Sequence, residues 1–136
     1  MRKQYHSRHS ERGNLIWDVD RLIRVSKQLP RLQVPLSSLR ELDEPYWFNG
    51  IEDVPTCRAV ADHARLIEAT DLGHPIILSS SGRIMDGMHR VAKAYMLGHE
   101  TVDAVQFDVD PEPDYIDVPI EDLPYEETQE TSTDGA

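Results

Sequence analysis

The chain has 136 residues, 39% of them apolar, and a formal net charge of −11, a size and composition that fit one small domain with one modest core. The single cysteine, Cys57, excludes an internal disulfide framework and a thiolate metal cluster. No stretch approaches the roughly 18 apolar residues of a membrane span, and the N-terminus lacks the apolar run of a signal peptide, so a cytoplasmic protein with no membrane partner is expected.

The negative charge is unevenly spread. Asp108 to the C-terminus carries eleven acidic residues and no Lys or Arg, whereas residues 1–107 carry 14 acidic and 14 basic side chains. Residues 1–13, with Arg2, Lys3, Arg8 and Arg12, read as a flexible basic arm. Residues 14–107 read as the folded domain, and 108–136, rich in Pro, Glu, Asp and Thr, as an acidic, largely disordered tail. Within that tail "YIDVPIEDLP" alternates apolar and acidic residues, the pattern of a strand that docks.

In chain order, "NLIWDVDRLIRVSKQLP" places Leu15, Ile16, Val19, Leu22, Ile23 and Leu29 at helical spacing, with Asn14 as N-cap and Pro30 as the stop. "LQVPLSSLREL" alternates Leu32, Val34 and Leu36 like a half-buried strand, and Pro35 marks an edge. A loop follows, anchored by Tyr46, Trp47 and Phe48, whose rings are expected to complete the core. Thr56 then caps a helix with Cys57, Val60, Ala61, Ala64 and Ile67 on its inward stripe, and Gly73 closes it. "PIILS", the turn Ser80–Gly82 and "RIMD" predict an antiparallel hairpin that runs directly into the helix "MHRVAKAYML", with Val91, Ala94, Tyr95 and Leu97 inward and Gly98 as cap. A last strand, "TVDAVQF", completes an α+β domain with a mixed sheet and packed helices.

The segment "DGMHR", residues 86–90, concentrates the chemistry. A strand passing through Gly87 into a helix leaves the first backbone N–H groups of that helix without intrahelical partners, at the positive end of its dipole. Such a terminus suits an anion, with Gly87 permitting close approach, Arg90 able to fork onto phosphate and His89 a second donor. Asp86 has the hard oxygen that a Mg²⁺ ion accompanying a nucleotide prefers. A purely structural use of the same residues is equally readable: Asp86 as a helix cap or as the partner of Arg90, and His89 as a satisfied core histidine. His63, His74 and His89 show no HxxxH or HxH spacing, so no transition-metal site is expected.

The run "HPIILSSSGRIMDGMHRVAKAYMLGHETVDAVQF", with the helix and strand before it, resembles the ParB/sulfiredoxin-like superfamily in its small stand-alone form, over about residues 32–107. The resemblance implies that Gly87, His89 and Arg90, in the turn that also holds Met88, contact the phosphate chain of ATP or ADP, and the expected companion ion at Asp86 is Mg²⁺. Sulfiredoxins carry their reactive cysteine where this chain has Met88, so sulfinic acid reduction is not expected. Partition-type members carry a Glu and a second Arg in this motif and a DNA-binding domain beyond it, and neither is seen here, so specific DNA binding is not expected. Members with a similar Asp-Gly-x-His-Arg signature are free serine kinases, in which a carboxylate after the first strand is the general base. Glu41, Asp43 and Glu44 are the candidates for that role, with Asp86 as a further catalytic residue. The expected functions are therefore a phosphotransferase acting on a small-molecule acceptor, or a nucleotide-responsive module that acts through a protein partner.

Overall fold

The computed structural model describes residues 3–125. In chain order the elements are β1 (Tyr5–Ser10), β2 (Gly13–Asp18), α1 (Val19–Ser26), β3 (Leu32–Pro35), α2 (Cys57–Ala69), β4 (Ile76–Leu78), β5 (Ile84–Asp86), α3 (Met88–Met96), β6 (Thr101–Gln106) and β7 (Tyr115–Ile116). They form an α+β fold in two compact units, one drawn from Met1–Lys27 and Pro111–Ala136, the other Gln28–Asp110. No helix among the described residues is long and apolar enough to cross a membrane.

The Gln28–Asp110 unit holds a four-stranded mixed sheet in the order β3-β6-β4-β5. β6 runs antiparallel to β3 and parallel to β4, while β4 and β5 form the antiparallel hairpin that the sequence predicts. Ile76, Leu78, Ile84, Val91, Ala94, Val102 and Ala104 build its core together with Met88. These residues alternate along the strands and repeat every three residues along α3, so the sheet face and the helix stripe meet. Leu36 and Leu39 close the same core from the short 3₁₀ turns after β3, and Tyr46 and Trp47 pack against it, as the loop reading requires.

Each helix buries only part of the stripe expected for it. In α2 the Thr56 cap is present, its hydroxyl accepting from Ala59 N–H at 3.1 Å. However, no α2 residue is fully buried, Cys57 is exposed and Val60 is 50% exposed. The side that faces inward carries Ala59, His63 and Ile67. On that inward side His63 stacks on Trp47, with ring centroids 4.3 Å apart. In α3, Val91 and Ala94 are buried as expected, but Tyr95 is 65% exposed and Leu97 also faces solvent, and Met88 takes the inward place one turn earlier.

The other unit departs further from the sequence reading. The expected basic arm over 1–13 and the helix expected from Asn14 are replaced by a hairpin, in which β1 pairs with β2 from Tyr5↔Asp18 to Ser10↔Gly13. β2 is paired on both edges, by β1 and by β7, and its consecutive Leu15, Ile16 and Trp17 are all buried, which needs cover over both faces of the strand. The helix starts only at Val19, capped by Asp18 Oδ1 accepting from Asp20 N–H at 2.9 Å.

The acidic tail expected over 108–136 is likewise corrected for its described part. β7 pairs with β2, the Trp17 indole N–H donates to the Pro111 carbonyl at 2.7 Å, and Leu123 is buried. Residues 126–136 of that expected tail lie outside the described residues. The charge asymmetry of the sequence becomes pairing within one unit. Arg21 meets Asp114 at 3.1 Å and Arg12 meets Glu112 at 3.3 Å, while Lys3 bridges Asp18 and Asp20 at 3.0 and 3.1 Å. Opposite charges distant in sequence thus pair within this unit.

Candidate functional site

The site grows from the junction of β5 and α3. Gly87 is the N-cap of α3 at φ 109° and ψ 21°, a left-handed conformation that an L side chain adopts only at a cost. A Cβ there would lie 2.7 Å from Ile76 Cγ2 and 2.9 Å from Arg90 Nη2. Glycine is therefore required both by dihedral and by space. It also has no side chain with which to cap α3, so the amide groups of the first turn carry the helix's positive end without help from the N-cap residue.

Arg90, one turn in, donates from Nη2 to Asp86 Oδ2 at 3.0 Å and to the Pro75 carbonyl at 3.2 Å. Both side chains of this ion pair are only 16% exposed. Arg90 Nε is buried and has no partner among the described residues. The pairing of Arg90 with Asp86, one of the structural uses readable from the sequence, is thus present, and it occupies one Asp86 oxygen. No group of three or more His, Cys, Asp or Glu side chains among the described residues could hold a metal ion. Asp86 is then at most one ligand of a Mg²⁺ ion whose other positions belong to phosphate and water. Met88 points into the core, so only its backbone N–H is available to a ligand.

The carboxylates after β3 separate clearly. Glu44 is exposed and gripped by Arg83, Nη1 to Oε2 at 3.0 Å and Nη2 to Oε1 at 2.6 Å, and this holds its carboxyl below the usual range. Asp43 is exposed. Glu41 alone is buried, at 2% exposure. Its Oε2 accepts from the Ile84 N–H at 2.7 Å on the edge strand β5 and lies 3.3 Å from Arg83 Nε, while Oε1 has no partner among the described residues. A buried carboxylate oxygen without a donor is costly, and such groups tend to mark function.

Tyr46 connects the two clusters. Burial, reinforced by the negative charges of Glu41 and Asp86, pushes its hydroxyl up to about 12, so it remains a proton donor at any physiological pH. The charges of Glu41 and Asp86 thus both act on the Tyr46 hydroxyl, and Asp86 is paired with Arg90 in the first turn of α3.

The sequence did not show the third feature. His63 of α2 and His89 of α3, 26 residues apart, meet Nδ1 to Nε2 at 2.9 Å. Both rings stack on the Trp47 indole, with centroids at 4.3 and 4.6 Å and interplanar angles of 17°. Trp47 and His63 carry the signal, but only contact in three dimensions reveals it. His74 stays apart, 3.7 Å from Asp71. Burial lowers His89 to about 4, with His63 and Arg90 acting in the same direction, and burial also lowers His63.

These shifts have a consequence for stability. The folded chain resists protonation of His89 until about pH 4, whereas an unfolded histidine takes its proton near 6.5. The unfolded state thus binds more protons in that window, so stability is expected to fall as pH drops from 6.5 towards 4. Chemical denaturation at a series of pH values, compared with His89→Gln, checks this: the variant should lose part of the slope.

The chain matches no family model, no curated protein and no solved structure.

Proposed function

We propose that the start of α3 binds the phosphate chain of a nucleotide, ATP or ADP, and that the chain is a phosphotransferase acting on a small hydroxyl-bearing acceptor. The observation that carries this reading is the buried Glu41, whose Oε1 has no partner among the described residues and whose charge, like that of Asp86 at the start of α3, acts on the Tyr46 hydroxyl. In this reading the first-turn amides of α3 and the Arg90 guanidinium hold phosphate, with His89 as a further contact. Mg²⁺ would offset charge on the phosphate chain, with Asp86 as its protein ligand.

Glu41 Oε1 then accepts the proton of the acceptor hydroxyl. The freed oxygen bonds to the terminal phosphorus, the bond from that phosphorus to the bridging oxygen breaks, and the nucleotide leaves one phosphate shorter. Tyr46, protonated throughout, donates a hydrogen bond towards the charge that develops there. Glu44 is not the base in this scheme, because Arg83 occupies both its oxygens.

A second reading, a non-catalytic nucleotide-responsive module, is favoured by a different observation. Val60 and Leu66 of α2 and Tyr95 and Met96 of α3 are at least half exposed, which suits a protein partner.

Calorimetry with ATP and with ADP, each with Mg²⁺, tests the shared element. Wild type is expected to bind, and Arg90→Ala to lose about 1.5–3 kcal/mol, the range for charge-assisted hydrogen bonds. Absence of binding by wild type, or unchanged affinity in a folded Arg90→Ala variant, would remove the site.

A further inference from the structure

His63 and His89 have room for one proton between them. The facing nitrogens, His63 Nδ1 and His89 Nε2, lie 2.9 Å apart while the ring centroids are 5.2 Å apart, so each nitrogen is aimed at the other and the contact is a hydrogen bond. One nitrogen carries the proton and the other is bare. Both rings are fixed in this register, because each stacks on the Trp47 indole with its plane 17° away, and the edge of Phe48 meets His63 at 5.5 Å. In a neutral pair the tautomer of one ring therefore sets that of the other.

We propose that His63 is a positioning residue for the phosphate site: its Nδ1–H holds neutral His89 in the tautomer that keeps the proton on Nδ1, the nitrogen that donates to phosphate. This role rests on the phosphate-binding reading given above. His89 is the second residue of α3, in the turn whose amides that reading assigns to phosphate. Its Nε2 is engaged by His63, which leaves Nδ1 as the nitrogen that can meet a ligand, and the ring is only partly buried. A neutral imidazole has one N–H to give. For Nδ1 to donate, Nε2 must be bare, and His63 supplies the donor that a bare Nε2 needs.

The surroundings favour this neutral arrangement over an imidazolium. Burial lowers His89 to about 4, and both His63 and Arg90 act in the same direction. Burial also lowers His63, against the charge of Asp62 on its own helix, while Trp47 and Phe48 bring only uncharged rings. An imidazole in water prefers to carry its proton on Nε2, so the His63 donor works against an intrinsic preference. With the opposite tautomer, Nδ1 would turn a lone pair towards the phosphate oxygens, and a hydrogen bond would become a repulsion.

The test uses the whole chain labelled with ¹⁵N-histidine, in the presence of ADP and Mg²⁺. Long-range proton–nitrogen NMR spectra separate protonated from bare ring nitrogens. In the complex His89 should show a protonated Nδ1 and a bare Nε2, and His63 a protonated Nδ1. Calorimetry with the same ligand reads the consequence. His63→Phe keeps a ring on Trp47 but has no donor, and it should weaken ADP about three- to tenfold, the range for one hydrogen bond. His63→Asn loses the stack but carries an amide N–H on the carbon that holds Nδ1 in histidine, so it should bind ADP more tightly than His63→Phe. A purely structural role for His63 predicts the reverse order, and that order would overturn the proposal. Should His63→Phe lose its helical circular dichroism, the wild-type spectra decide. A bare His89 Nδ1 in the complex, protons on both of its nitrogens, or undiminished ADP binding by folded His63→Phe overturns the role of His63 and leaves the phosphate site standing. Absence of ADP binding by the wild type overturns both.

Discussion

Gly87→Ala is expected to destabilise the Gln28–Asp110 unit by about 2–5 kcal/mol. Two costs combine. At φ 109° an L residue is strained, by roughly 1–2 kcal/mol. The added methyl would also press on Ile76, whose Cγ2 and Cβ lie 2.7 and 2.9 Å from its position and whose side chain is wholly buried. Overpacking of this kind costs about 1–3 kcal/mol. Gly82→Ala separates the terms, since Gly82 has φ 86° with nothing within 4 Å of its Cβ, and it should carry the dihedral cost alone. Urea denaturation of the two variants with unchanged slope decides the matter. Equal losses would mean that the steric account of Gly87 is wrong.

Glu41→Gln is expected to reduce phosphoryl transfer by two or more orders of magnitude, the range for loss of a positioned general base. Glutamine keeps an oxygen for the Ile84 N–H but cannot take the acceptor's proton. Nucleotide affinity, which this reading assigns to α3, should change little. Glu44→Gln is the control, because it loosens only an exposed grip on Arg83, and surface pairs of this kind contribute little. Coupled measurement of nucleotide consumption with hydroxylated amino acids gives both numbers. Equal effects of the two variants would count against Glu41 as the base. No turnover by wild type with any such acceptor would instead favour the nucleotide-responsive module.

The clearest structural distinction concerns the three carboxylates after β3. In sequence Glu41, Asp43 and Glu44 are equivalent acids in one short segment. Only the fold places Glu41 beneath the edge of β5, leaves Asp43 in solvent and sets Glu44 against Arg83. The distinction depends on a contact across 43 residues, which no local pattern encodes.

Local chemistry was enough for the elements of the Gln28–Asp110 unit. The β4–β5 hairpin, the Thr56 cap of α2, the run from β5 through Gly87 into α3 and the strand β6 all follow from turn residues, caps and apolar periods, because these act over a few residues. The same reasoning failed for residues 13–18, where Leu15, Ile16 and Trp17 fit a helix stripe as well as a buried strand. What selected the strand was pairing on both sides, by β1 and by β7 about a hundred residues away. Likewise the inward side of α2 carries His63 against His89 and Trp47, a contact with residues outside the helix that its own periodicity does not predict. Sequence alone therefore determined where this chain turns, caps and begins its α3 helix. Tertiary structure decided which side chains share a site, because burial and partner choice depend on residues that are distant along the chain.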